Sequence, residues 1–432
     1  LKKENNMKIA IAGYGVEGQA SYHYYASDEN NTITIVDQSY PSVDMPKNVK
    51  TIIGEDAFKN LLGFDLVIRT PGLPPASIKT DGKIWSATNE FFAKCPAPII
   101  GITGTKGKGT TASLVASILN RAGKKVWLIG NIGIAALDVL QDIKAEDVVV
   151  YELSSFQLWD IKYSPKTAVL LFVEEEHLNI HYSKEDYFSA KMNITKFQTA
   201  QDNFVFYENN TLVNATTSNA ALMPYPNEKF AHIKNDNFYF GEKLLGSTNN
   251  LKIIGSHNLE NACAAINAVW LYTTSPETIM EGLADFEGLP HRLKLIGAVE
   301  DVYYYDDSIA TTPSATIAAL NAINKPKHLI LGGSSKGLDY SLLAERMLKE
   351  DVLSAFLMGE ESDKIAQTLD DAGFLNYQII SKEKSLSEIV QKVHQQAAKG
   401  DAVLLSPAAA SFGLFSNYID RGNQFIKAVE EL

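Results

Sequence analysis

Cysteine is nearly missing from this chain. Only Cys95 and Cys263 occur in 432 residues, far apart and without metal-ligand spacing, so neither a disulfide framework nor a structural zinc site is expected. No apolar run is long enough to span a bilayer, and the stretch Leu1 to Asn6 is polar with no hydrophobic segment behind it. A cytoplasmic protein with no membrane insertion is the expectation. Net positive charge is also lacking: a formal balance of −12 argues against nucleic acid or an anionic membrane as partner. There is no internal repeat, low-complexity tract or long block of like charge. The 45% hydrophobic and 21% charged residues that remain describe an ordinary globular chain, with length for about three domains.

The stretch that organises the rest begins at Ile99-Ile-Gly-Ile-Thr103 and continues as Gly104-Thr-Lys-Gly-Lys-Gly-Thr-Thr111 into the helical pattern Ala112 to Leu119. A β-branched run that ends in glycines and turns helical lets backbone N–H groups converge on an anion at a helix N-terminus. Gly101, Gly104 and Gly107 are read as part of that strand-to-helix turn. Residues Gly104, Thr105, Lys106, Gly107, Lys108, Gly109, Thr110 and Thr111 are expected to hold ATP, with Lys108 on its outer phosphates. The strict signature puts four residues between its key glycines; here two separate Gly104 from Gly107, and Gly109 replaces the usual hydroxyl residue.

Upstream, Lys8 to Ala12 reads as a buried strand, followed by Gly13-Tyr-Gly-Val-Glu-Gly18, a G-x-G-x-x-G that opens a helix through Tyr25. The strand Thr32 to Val36 ends in Asp37, near the separation at which an acid meets a ribose. Further runs, Val49 to Ile53 and Leu66 to Arg69, complete a small doubly wound sheet, and Thr70-Pro-Gly72 marks a turn at the same sheet end. By itself this supports a nicotinamide-dependent dehydrogenase, or any ligand with a pyrophosphate near Val16 and Glu17.

Downstream, Val126 to Ile129 leads to Gly130-Asn-Ile-Gly133, and Val148 to Tyr151 leads to Glu152. A carboxylate at the carboxyl end of a strand beside a phosphate loop is where Mg2+ is commonly anchored, which makes Glu152 the candidate ligand. The strand Ala168 to Val173 delivers Glu174-Glu-Glu-His177, and Lys191 interrupts a half-buried helical segment. After about residue 291, strand-like runs at Val302 to Tyr305, His328 to Leu331, Ala355 to Met358, Tyr377 to Ile380 and Ala402 to Leu405 alternate with helices, a second Rossmann-like βα unit.

The succession Gly-Thr-Lys-Gly-Lys-Gly-Thr, Gly-Asn-Ile-Gly, Glu-Leu-Ser-Ser-Phe-Gln-Leu, Glu-His-Leu, Ala190-Lys191, Gly255-Ser-His-Asn258 with Asn261, and Gly288-Leu-Pro-His-Arg292 resembles the Mur ligases from about Met7 to the C-terminus. The resemblance implies an α/β chain of three domains: a Rossmann-like UDP-substrate unit at residues 1–95, a central P-loop ATPase domain at 96–290, and a Rossmann-like amino-acid domain at 291–432. It implies an ATP- and Mg2+-dependent amide ligase of peptidoglycan precursor synthesis, a monomer that takes UDP-N-acetylmuramoyl-L-alanine and D-glutamate through an acyl phosphate. The catalytic set is then Lys108, Glu152, His177 and Lys191, with Lys191 carbamylated and Glu152, His177, Lys191 and Thr110 near metal. Asn258, Asn261, Arg292 and Asp307 fall to the nucleotide. Gly13, Gly15, Val16, Glu17, Gly18, Asp37, Thr70, Gly72 and Asn131 fall to the UDP substrate, and Thr311, Lys336, Ser411 and Tyr418 to D-glutamate.

Four positions depart from the family pattern: Ser39 and Ile309 replace basic residues, Ser334 an aspartate, and Gly109 the loop hydroxyl. Ile309 and Ser334 leave a non-catalytic nucleotide-binding relative as an alternative beside the dehydrogenase, and a folylpolyglutamate synthase-like ligase, which shares a similar loop and closing domain but lacks the N-terminal Rossmann unit, is another.

Overall fold

A computed structural model describes residues 6–41, 43–131, 134–176, 180–210, 218–380 and 385–432. Among these the chain is mixed α/β, and its strands form four sheets. By contacts it divides into two compact units, one of Leu1–Asn250 with Leu259–Phe286, the other of Leu251–Asn258 with Glu287–Leu432.

The first sheet comprises β1 (Lys8–Ala12), β2 (Thr32–Asp37), β3 (Lys50–Ile53), β4 (Leu66–Arg69) and β5 (Lys83–Ser86), all parallel, in the order β3-β2-β1-β4-β5. Ile9, Ile11, Ile35 and Ile68 pack on one face, Ala10, Ala12, Val36 and Val67 on the other. Burial on both faces is why these strands read as unbroken apolar runs. The order reverses between β1 and β4, so the glycine turn after β1 and the Thr70-Pro-Gly72 turn after β4 flank the switch point, where ligands of open α/β sheets bind.

In the second sheet β6 (Ile99–Thr103), β7 (Val126–Gly130), β8 (Val148–Glu152), β9 (Thr167–Leu170), β10 (Asn203–Tyr207) and β11 (Ala221–Tyr225) are again all parallel, in the order β11-β10-β9-β6-β8-β7. Two sequence expectations change here. Gly101 lies inside β6, paired with Tyr151 and Ala168 and not in the turn, and glycine is needed there because a Cβ would come within 2.8 Å of the Pro165 ring. The third strand stops at Leu170 instead of Val173. Leu171 packs under Gly104, where a Cβ would lie 2.7 Å from the Leu171 Cβ, and the Phe172 carbonyl accepts the Thr105 N–H at 2.9 Å, so the backbone supports the glycine loop in place of extending the ladder. An antiparallel sheet of β12 (Ala231–Lys234), β13 (Asn237–Phe240) and β14 (Lys243–Ser247) follows.

The second unit is built on β15 (Lys294–Val299), β16 (Val302–Asp306), β17 (Lys327–Gly332), β18 (Val352–Met358), β19 (Tyr377–Ile379) and β20 (Ala402–Leu405), in the order β15-β16-β20-β17-β18-β19. Only β15 runs antiparallel to its neighbour. Alternate residues feed two cores, Leu329, Leu331 and Leu357 on one face and Ile330, Phe356 and Leu405 on the other.

Candidate active site

The loop after β6 is set by its glycines. Gly104 has φ +154° and Gly107 φ +83°, and Gly107 is the N-cap of the helix Lys108–Arg121. A Cβ on Gly107 would lie 2.4 Å from Asn261 Oδ1, so conformation and space both demand glycine. Lys108 folds back over the loop and donates from Nζ to the Gly104 carbonyl at 3.0 Å and the Thr105 carbonyl at 2.8 Å. The buried Lys191, on the helix Lys184–Met192, donates to the same Gly104 oxygen at 2.6 Å. Burial pushes the Lys191 amine well below its usual range; Lys108 acts the same way, and Glu176 and Glu152 oppose them. Thr105 Oγ1 meets Tyr187 Oη at 3.0 Å, and the Tyr187 ring lies 4.7 Å under Lys191 Nζ. The exposed Lys106 pairs with Glu174 at 2.5 Å.

Glu152, the last residue of β8, pairs with Ile102 of β6 and is buried, which puts its carboxylate at the sheet end that bears the loop. Asn131 donates to its Oε1 at 3.3 Å. Capping of the following helix Ser155–Leu158 is done by Ser154 and Gln157 in a reciprocal capping box, so Glu152 is released from that role. Thr110 and Thr111 are buried in the first turn of Lys108–Arg121, with Thr111 Oγ1 3.3 Å from Asn261 Oδ1. A glycine cradle at a helix N-terminus fits a nucleotide phosphate, and the hard oxygens of Glu152 and Thr110 fit Mg2+. No three His, Cys, Asp or Glu side chains converge among the described residues. His177 lies outside the described residues.

At the switch point of the first sheet the glycines divide by role. A Cβ on Gly13 would meet Thr70 Oγ1 at 2.1 Å and one on Gly18 the Gly13 carbonyl at 2.2 Å, whereas Gly15 and Gly72 face open space. Asp37 accepts the N–H groups of Tyr14 at 2.8 Å and Gln38 at 2.7 Å, which orders the turn from below. Thr70 Oγ1 donates to the Ala12 carbonyl at 2.9 Å, and Val16 is exposed at the helix start. Glu17 accepts from Gln157 Nε2 at 2.6 Å; burial pushes its carboxyl up to about 7, against the pull of Gln157 and Arg69.

The second unit gathers the remaining candidates. Lys336 Nζ donates to Thr311 Oγ1 at 3.1 Å. Ser334, on the same loop, donates from its N–H to the Ala410 carbonyl at 2.8 Å, which brings that loop beside buried Ser411. Tyr418 opens the helix Tyr418–Glu430, and its carbonyl accepts from Ser308 Oγ at 2.7 Å. Asp307 takes the Leu293 N–H at 3.1 Å and Ser406 Oγ at 2.7 Å, and burial raises it to about 7. It thus orders the backbone next to exposed Arg292. Asn258 donates to the Ile254 carbonyl at 2.6 Å. Asn258 and Asn261 share the helix Ser256–Val269, the first in this unit and the second in the other.

Sequence reasoning passed over several residues that hold these parts in place. Buried Arg421 donates to Ser308 Oγ at 3.0 Å, the Ser308 carbonyl at 2.7 Å and the Ala409 carbonyl at 3.2 Å, tying the two loops that carry Thr311 and Ser411. His181, buried between Phe156 and Tyr187, bridges Ser155 Oγ at 2.9 Å and Asp186 at 3.0 Å. His181 and Asp186 stand five positions apart, a spacing that gives no sequence signal; an arginine that closes an apolar strand, as Arg69 does, stands out, but nothing in the sequence names its partner.

Comparison with known proteins gives two family matches, the Mur ligase middle domain over residues 102–269 and the Mur ligase, glutamate ligase domain over residues 291–409. The chain is 35% identical to a UDP-N-acetylmuramoylalanine--D-glutamate ligase of Acetivibrio thermocellus, an alignment that covers 100% of this chain and 98% of the relative. Among solved structures it is similar in fold to the UDP-N-acetylmuramate-alanine ligase MurC of Thermotoga maritima, with TM-score 0.63 and 18% identity over 98% of this chain and 99% of that one. It is also similar to the MurF ligase of Thermotoga maritima solved in complex with ADP, with TM-score 0.60 and 17% identity over 100% of both chains.

Proposed function

The chain belongs to the Mur ligase family, and from that premise we propose that it joins D-glutamate to UDP-N-acetylmuramoyl-L-alanine at the expense of ATP. Three regions divide the work: residues 1–95 hold the UDP substrate, 96–290 hold ATP, and 291–432 bring the amino acid. The observation that carries the chemistry is the convergence of Lys108 and Lys191 on Gly104, in a loop whose sheet neighbour ends in Glu152. A nicotinamide dehydrogenase has no use for that convergence.

Lys108 is held by two loop carbonyls that a γ-phosphate can replace as its partner, and a helix N-terminus such as the one at Lys108 favours the same anion. Positive charge there stabilises the phosphoryl group as the alanine carboxylate of the UDP substrate attacks phosphorus and ADP departs. The resulting acyl phosphate is attacked at its carbonyl carbon by the amino group of D-glutamate, and phosphate leaves as the amide forms. Mg2+, held by Glu152 and Thr110 and by resemblance by His177 and carbamylated Lys191, would neutralise charge between phosphate and carboxylate oxygens. Low basicity suits Lys191 to this, because only a neutral amine captures CO2. Neither cysteine has a part: Cys263 is buried, and its thiol is pushed up out of the reactive range by burial.

No helix among the described residues is long and apolar enough to cross a membrane; a cytoplasmic monomer is proposed on the family resemblance alone. The test is phosphate release from ATP with UDP-N-acetylmuramoyl-L-alanine and single amino acids. Release that needs both partners supports the reading; nucleotide binding without turnover rejects it in favour of a non-catalytic relative, and turnover with folate in favour of a folylpolyglutamate synthase-like ligase.

A further inference from the structure

We propose that Arg69 is a positioning residue that fixes the distance between the turn anchoring the UDP substrate and the centre of phosphoryl transfer. The inference rests on the assignment of the first sheet to the UDP substrate and of Glu152 to the transfer site. Arg69 closes β4, and its side chain is fully buried. One face of the guanidinium gathers the loop that follows it: Nη1 donates to the carbonyls of Thr70 at 3.2 Å, Pro71 at 3.1 Å and Leu73 at 3.0 Å. The other face reaches the second sheet. Nη2 donates to the Phe156 carbonyl at 3.0 Å and Asp160 Oδ1 at 2.6 Å, and Nε to Asp160 Oδ2 at 3.2 Å. One planar group therefore ties the Thr70 to Leu73 loop to the segment that begins just after Glu152.

That segment is held from the first sheet at two more points. Gln157 Nε2 donates to Glu17 on the helix Val16–Ala26 at 2.6 Å. Asn89 on the helix Ala87–Lys94 donates to the Asp160 carbonyl at 3.2 Å and accepts the Lys162 N–H at 2.7 Å. On its far side Ser155 is linked through His181 and Asp186 to the helix that carries Lys191. Hydrogen bonds joined by short stretches of backbone thus link the Thr70 turn to the helix that bears the lysine beside Gly104.

The reaction gives such a strut a purpose. The UDP substrate is anchored at one end in the first sheet, and its reacting carboxylate lies at the other end, so any drift between the sheets moves the carboxylate off the γ-phosphate. Lysine cannot substitute, since its ammonium has neither the planar fork for Asp160 nor enough donors for four carbonyls.

The experiment compares native chain, Arg69→Lys, Arg69→Met and Asp160→Asn for three quantities: thermal unfolding, affinity for UDP alone and for ADP alone, and kcat with all substrates. ADP touches only the anchor that Arg69 does not hold, so its affinity should stay at the native value, and affinity for UDP alone should fall far less than kcat, because UDP alone does not need the two anchors in register. Turnover should fall at least about fiftyfold in Arg69→Lys, the scale of a misplacement near 1 Å. Native kcat in a folded Arg69→Lys overturns the proposal. So does a parallel fall of UDP affinity, ADP affinity and kcat, or a failure of every variant to fold, since each makes Arg69 a residue of general stability. Absence of turnover in the native chain rejects the ligase reading itself and is scored first.

Discussion

Lys191 Nζ donates to the carbonyl oxygen of Gly104 at 2.6 Å, inside the bend that φ +154° at Gly104 creates. Lys108 Nζ donates to that same oxygen, so two amines share one acceptor in a buried setting, and the arrangement is tolerable because Lys191 is readily neutral.

Lys191→Ala should lose most turnover, and acetate or formate should restore part of it by supplying a carboxylate where the carbamate stood. Native enzyme in CO2-depleted buffer should likewise slow and recover with bicarbonate. Activity should fall as acid protonates the amine, because protonated lysine captures no CO2. Full activity of Lys191→Ala without added carboxylate would refute the role.

Lys108→Ala should cost at least about a hundredfold in kcat, the scale of removing one electrostatic donor from a developing anion. Its amine donates to the Gly104 and Thr105 carbonyls of the loop, and a loop lysine adds little to the core, so the unfolding temperature should hardly move. A variant that unfolds early without losing turnover would reverse the assignment.

Gly107→Ala meets two obstacles, a left-handed φ of +83° and a contact of 2.4 Å with Asn261 Oδ1. The expected result is loss of ADP affinity, read by calorimetry, with a destabilisation of roughly 1–3 kcal/mol from backbone strain. Asn261→Ala in the same chain should recover part of the stability by vacating that space, but not the ADP affinity, because Asn261 is itself assigned to the nucleotide.

Glu17 supplies a pH dependence. Burial raises its carboxyl from 4.5 to about 7, so the folded chain holds a proton that the unfolded chain has lost between those values. Stability from this group is complete below 4.5 and lost as pH rises through about 7. Glu17→Gln should therefore gain heat stability over the native chain more at pH above about 7 than below it. The ionised form stands at the turn assigned to a diphosphate, so KM for the UDP substrate should climb through the same range in the native chain and stay level in Glu17→Gln. A climb retained in Glu17→Gln assigns it to another group.

The glycine loop, Glu152 and the first four strands of the first sheet are readable from sequence where chemistry or apolarity is concentrated in a few consecutive residues, as in Lys8 to Ala12 and Ile99 to Thr103, whereas the short β5 is not. The strands β12 to β15 are not either, although two-residue turns join β12 to β13, β13 to β14 and β15 to β16. Asn235 and Asp236 have φ 49° and 56°, Glu300 and Asp301 φ 50° and 67°, and neither pair contains the glycine that marks such turns. Pro224 hides β11, which tolerates it as an edge strand. Arg69 is the hardest case, since Asp160 stands 91 residues away and only the packing of one sheet beside another brings them together.

The acceptor pocket gives the last prediction. Glutamate carries two carboxylates, so its site must present donors at two separated points, and the second unit holds Lys336 with Thr311 at one and Ser411 with the start of the helix at Tyr418 at the other. Burial lowers the Lys336 amine, with Arg421 acting in the same sense, so its charge is strengthened when an α-carboxylate arrives to pair with it. Lys336→Ala should raise KM for D-glutamate far more than KM for ATP, because a charge-assisted hydrogen bond is lost from one substrate only. Ser411→Ala should narrow the preference for D-glutamate over D-alanine, since the pocket no longer strands a buried donor when the second carboxylate is missing. Phosphate release with D-glutamate, L-glutamate, D-alanine and meso-diaminopimelate checks both. A preference for any of the last three would move the substrate assignment while the ligase chemistry at Lys108 and Glu152 stands.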